Sequence, residues 1–105
     1  MTKIAIVTGA SRGFGRGTAR ILASEADYKV YATARTQSAL QSLQKEVAES
    51  NGAGEVIPVV LDQSDDEAVA AFVRRVSASE KQIDLLVNSA YAGLIAMTPH
   101  FGKPF

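Results

Sequence analysis

Residues Thr8-Gly9-Ala10-Ser11-Arg12-Gly13-Phe14-Gly15 stand where an apolar run, Ile4 to Val7, gives way to a helical pattern, so a glycine-rich turn meets a helix N-terminus. The chemistry available at such a junction is anion binding. The first amide N–H groups of a helix have no internal acceptor and carry the positive end of its dipole, and a phosphate group answers both needs. Gly9 lets the chain turn sharply, Gly13 lets the backbone approach a diphosphate with no Cβ between, and Gly15 lets the helix lie close against a sheet. The spacing is T-G-x-x-x-G-x-G rather than the G-x-G-x-x-G dinucleotide fingerprint. Gly9, Ser11, Arg12, Gly13 and Gly15 are candidate phosphate-binding residues. The alternative is a glycine-rich turn that holds no ligand.

A carboxylate about twenty residues past such glycines would grip the ribose hydroxyls of NAD. That position here is Arg35. A guanidinium takes a 2′-phosphate through paired hydrogen bonds, so NADP(H) is the expected cofactor. Arg12 offers a second cation to the same phosphate. Either arginine can instead be an ordinary solvated surface residue. Asp62, at the end of the third apolar run, is placed to accept a hydrogen bond from the adenine amino group. Its other reading is a turn residue ahead of a helix capped by Ser64.

These residues need elements to carry them. Lys3 to Val7 reads as a first strand, and Gly15, Ala19, Leu22 and Ala26 recur on one face of a first helix. Lys29 to Ala34 is a second strand. Thr36 is an N-cap for a helix whose stripe is Leu40, Leu43 and Val47, stopped at Asn51-Gly52-Ala53-Gly54. Glu55 to Leu61 is an apolar strand of the kind buried in parallel sheets, with Pro58 arguing for an edge. Ser64-Asp65-Asp66-Glu67 is a capping box opening a helix with Val69, Phe72, Val73 and Val76 on its apolar face. Ile83 to Val87 is the fourth strand. The alternation predicts a βαβαβαβ doubly wound parallel sheet in the order 3-2-1-4, which places Thr8–Gly15 and Asn88–Gly93 together at the topological switch point.

The composition bounds the partners. The chain has 105 residues, 47% hydrophobic, enough for one small domain. Its 11 basic and 11 acidic side chains cancel, so no overall field attracts nucleic acid. It has no cysteine and a single histidine, His100, which argues against a metal site built from thiolates or clustered imidazoles. The apolar run after Lys3 is too short for a signal-peptide core or a membrane span, so an intracellular, cytoplasmic location is the default expectation.

Taken together, Thr8-Gly9-x-x-x-Gly13-x-Gly15, Arg35 after strand two, Leu61-Asp62 after strand three and Leu86-Val87-Asn88-Ser89-Ala90 after strand four resemble the short-chain dehydrogenase/reductase family, over nearly the whole chain. The run Asn88-Ser89-Ala90-Tyr91-Ala92-Gly93 is similar to that of its dehydrogenase/reductase member 1 subgroup. The resemblance implies a Rossmann-type fold and hydride transfer between NADP(H) and a carbonyl or alcohol substrate. It also implies that the Phe14 backbone N–H meets the diphosphate, that Asp62 faces adenine, and that Asn88 and Ala90 line the adenine ribose while fixing the central sheet. Ser89 stands where the family has a second asparagine, a departure expected to weaken the hydrogen bonding at that strand end.

The family's catalytic serine and Tyr-x-x-x-Lys pair have no counterpart here. Four positions after Tyr28, Tyr31 and Tyr91 come Ala32, Arg35 and Ile95. Tyr31 reads as sheet packing, Tyr91 as a packed loop aromatic or a border of the substrate cleft, and His100 as a loop residue. The expected organisation is a cofactor-binding half-domain over residues 1–93 and a loop or tail over 94–105, with no catalytic residue and the chemistry completed only in a longer parent. Two other accounts stand beside it. One is a non-catalytic nucleotide-binding module; the other is a truncated product that self-associates through the apolar edge of strand four.

Overall fold

The computed structural model describes residues 2–89. Short apolar runs form β1 (Ile4–Thr8), β2 (Lys29–Ala34), β3 (Glu55–Val60) and β4 (Leu85–Asn88), alternating with helices α1 (Gly13–Ser24), α2 (Gln37–Ala48) and α3 (Asp66–Ser79). The strands are parallel in the order β3-β2-β1-β4. Ala5 pairs with both Val30 and Leu85, and Thr8 stands opposite Asn88.

Period-two alternation along the strands divides the buried side chains between two faces. Ala5, Val7, Val30 and Ala32 pack with Ala19 and Ala23 of α1 and with Leu40, Leu43 and Val47 of α2. On the other face, Ile4, Ile6, Tyr31 and Val59 meet Val69, Phe72 and Val76 of α3. The Tyr31 ring meets Phe72 edge to face at 6.3 Å, so this tyrosine packs the sheet as its sequence position predicts.

β3 pairs with β2 alone among the described residues, so Pro58 lies on an edge strand, where a missing donor costs little. β4 likewise pairs only with β1 there, and Ile83 and Leu85 remain exposed beside it. No helix among the described residues is long and apolar enough to cross a membrane.

Two local expectations need correction. Ala26 lies beyond the end of α1 and is exposed; the buried stripe is Gly15, Ala19 and Ala23. The helix closes earlier because the Glu25 and Ala26 N–H groups both turn back to the Ile21 carbonyl. The cap of α3 is Asp65 rather than Ser64: the Asp65 carboxylate accepts from the Ala68 N–H at 3.1 Å. Ser64 is engaged elsewhere, its hydroxyl donating to Asp62 at 2.7 Å.

Candidate functional site

The strand order sets Asp62, Arg35, the Thr8–Gly15 turn and Asn88 in sequence along the C-terminal edge of the sheet. The turn has the backbone its glycines were expected to allow. Gly9 and Gly13 both take φ of +62°, in the left-handed region that disfavours side chains. A Cβ on Gly13 would point into open space, whereas one on Gly15 would collide with the Gly9 carbonyl and the Ser89 hydroxyl. Gly15 therefore permits the close approach of α1 to the strand ends, and Gly13 leaves room beside the backbone.

Arg12 holds the N-cap position of α1 in an extended conformation, φ −160°, with no side-chain capping bond, and the first turn contains no acid. Among the described residues, nothing accepts from the N–H groups of Gly13, Phe14 or Gly15; the first helical bond is Arg16 N–H to the Arg12 carbonyl at 3.4 Å. Arg12, Gly13 and Phe14 are exposed and Ser11 is half-buried. Unmatched donors at the positive end of a helix, two of them on exposed residues, suit an anionic ligand such as a diphosphate.

The neighbouring strand ends are tied together. The buried Thr8 hydroxyl donates to the Asn88 side-chain oxygen at 2.8 Å. The Ser89 hydroxyl donates to the Thr8 carbonyl. Ser89 thus bonds the ends of β1 and β4. Ala90, Tyr91 and the tail over 94–105 lie outside the described residues.

At the other end of the edge, Arg35 and Asp62 come together. Their guanidinium and carboxylate are 3.6 Å apart and both are exposed. The Asp62 carboxylate also accepts from the Ser64 backbone N–H at 2.9 Å, the geometry of a turn residue. Its carboxyl is held below the usual range, first by the Ser64 hydroxyl, then by the Ser64 N–H, with the nearby Arg35 charge adding to both. The ion pair is solvated and weak, so it leaves the guanidinium open to a stronger anion.

Sequence reasoning missed Ser89 as a tie between strands and missed Gln63, whose side-chain amide donates to Thr33 at 2.9 Å in the interior. No local pattern signals either contact. Both join residues distant in sequence.

A family model for short chain dehydrogenase matches residues 3–101. Dehydrogenase/reductase SDR family member 1 of Mus musculus is 40% identical over 104 residues, covering 98% of this chain and 32% of that protein. The uncharacterized oxidoreductase YusZ of Bacillus subtilis is 40% identical over 108 residues, covering 98% of this chain and 38% of that protein. A metagenomic short-chain oxidoreductase, solved in complex with NADP, superimposes with a TM-score of 0.73 at 36% identity, over 80% of this chain and 37% of that one. The chain spans about a third of the length of the curated relatives it matches.

Proposed function

This chain belongs to the short-chain dehydrogenase family, and we propose that its Thr8–Gly15 turn binds the diphosphate of a nicotinamide adenine dinucleotide, with NADP(H) preferred over NAD(H). The observation that carries this reading is the N-terminus of α1, where the N–H groups of Gly13, Phe14 and Gly15 meet no acceptor among the described residues and no acid occupies the first turn. The NADP complex of the metagenomic relative supports the same class of ligand.

Each residue of the edge then has a task. Gly9 and Gly13 hold the turn open, and the first-turn N–H groups with Arg12 and Ser11 receive the diphosphate oxygens. Arg35 receives the 2′-phosphate, which repels the Asp62 carboxylate and displaces it from the loose ion pair. Asp62, still held by Ser64, faces the adenine amino group. Asn88, fixed by Thr8, borders the adenine ribose. The bound nicotinamide supplies or accepts the hydride exchanged with a carbonyl or alcohol substrate. No residue of this chain is assigned the acid–base role, which typically contributes about 10²–10⁴ in rate. That β4 pairs only with β1 among the described residues, with Leu85 exposed, favours a second reading, association through strand pairing, which a concentration-dependent dimer on size-exclusion chromatography would support.

Titration of the purified protein with NADPH and NADH tests the cofactor assignment. A charge-assisted hydrogen bond contributes about 1.5–3 kcal/mol, so NADPH is expected to bind about ten- to a hundredfold more tightly, and Arg35→Ala to remove most of that preference. Equal affinity for both cofactors in the unaltered protein would overturn the role of Arg35. Binding of neither would overturn the role of the turn.

A further inference from the structure

The contact between Gln63 and Thr33 buries polar groups where apolar ones would pack. Thr33 is fully buried and Gln63 is 5% exposed. The Gln63 Nε2 donates to Thr33 Oγ1 at 2.9 Å, while Gln63 Oε1 is buried with no hydrogen-bond partner among the described residues. A half-satisfied amide in the interior is unfavourable for stability. Its location supplies another reason for it.

The backbone ladder between β2 and β3 ends with the Leu61 N–H donating to the Ala34 carbonyl at 2.9 Å. Past that bond the loop after β3 carries Asp62 and the chain after β2 carries Arg35. The Gln63 side chain is the next link across the two strands. Gln63 adjoins Asp62, and Thr33 stands near the end of β2, two residues before Arg35. Asp62 is therefore held twice, by Ser64 on its own loop and through Gln63 to the neighbouring strand.

We propose that Gln63 is a positioning residue for the adenosine end of the cleft: anchored on Thr33, its amide sets where Asp62 stands relative to Arg35, and so tunes discrimination for the 2′-phosphate. The proposal rests on the reading of Arg35 and Asp62 given above. The unpartnered Oε1 makes stability and positioning separable. An apolar side chain of similar length removes the unsatisfied carbonyl together with the link, so it is expected to leave the melting temperature level or raised while loosening the loop.

Dissociation constants for NADPH and NADH, measured on Gln63→Met, Thr33→Val and the double variant alongside Arg35→Ala, test this. The NADPH-to-NADH affinity ratio is expected to fall by about three- to tenfold in each single variant, less than in Arg35→Ala. The double variant should fall no further, because both changes break the same contact. NADH affinity should fall as well, but by less than NADPH affinity, because the adenine contact of Asp62 is common to both cofactors. An unchanged ratio in Gln63→Met and Thr33→Val, beside a clear loss in Arg35→Ala, would overturn the positioning role alone. An unchanged ratio in Arg35→Ala would overturn the cofactor assignment and this proposal together. The two single variants act from opposite strands, so a folding defect in one leaves the other to decide.

Discussion

Helices α1 and α3 both begin just beyond the C-terminal end of a strand, yet they treat their N-terminal amides in opposite ways. α3 is capped by Asp65, has Asp66 and Glu67 in its first turn, and so answers its own dipole. α1 has the cation Arg12 at its N-cap and no acid in the first turn. Lack of a cap does not by itself distinguish α1, because Thr36 makes no capping bond to α2 either. What sets α1 apart is the left-handed Gly9 before it, the left-handed Gly13 at its first position and the open space beside Gly13. At the other end of α3 the Glu80 N–H donates to the Val76 carbonyl at 2.8 Å, and the Glu80 carboxylate accepts from the Lys29 ammonium at 2.7 Å and the Tyr31 hydroxyl at 2.6 Å. α3 answers its N-terminal dipole with its own acids, whereas α1 leaves its first amides unmatched beside a turn with room for a ligand.

The contrast can be broken most severely at Gly15. Gly15→Val drives a side chain into the Gly9 carbonyl and Ser89, and should lower stability by about 3 kcal/mol in thermal or denaturant unfolding, with nucleotide binding lost. Transplanting the acid of α3 into α1 is the sharper test. Arg12→Asp should weaken NADPH by about tenfold or more while the melting temperature holds or rises, since a capping carboxylate takes the donors meant for phosphate. The reverse change, Asp65→Ala, should cost about 1 kcal/mol of stability and leave NADPH affinity unchanged in the same titration.

The smallest expected effect is on pH dependence at the far end of α3. Glu80 is held below its ordinary 4.5, first by the hydrogen bond from Lys29 and then by that from Tyr31. Its contribution is therefore present above about pH 4.5 and lost as pH falls through the lowered value, and Glu80→Gln should flatten that acid limb of the denaturation profile. Lys29 is raised chiefly by Glu80, and Tyr31 is raised by burial and then by the Glu80 hydrogen bond. Both contributions are complete below about pH 10 and fade as pH rises through the raised values. Nucleotide affinity at neutral pH should not follow Glu80→Gln.

Legibility followed the range of the interactions. The element order, the 3-2-1-4 sheet and the edge position of Pro58 could be read because hydrophobic period and proline chemistry act within a few residues. The glycine turn was readable for the same reason, since positive φ at Gly9 and Gly13 is a local demand. The cap of α3 was misplaced by one residue, because Ser64 and Asp65 are equally good capping types and only the turn at Asp62 decided which was free. Gln63 gave no signal, and Ser89 was legible only as a departure at its strand end, since their partners lie on other strands.

By itself, then, the order of residues determined that a glycine-rich turn would sit at the mouth of a parallel sheet, because backbone conformation and amphipathic period are properties of short stretches. Only the folded chain decided that Asp62 would lean on Arg35, that Ser89 would bind β4 to β1, and that a buried amide would link β2 to the loop beyond β3. Those contacts exist because strand pairing brings distant residues within hydrogen-bonding reach, and no local rule specifies which side chains meet there.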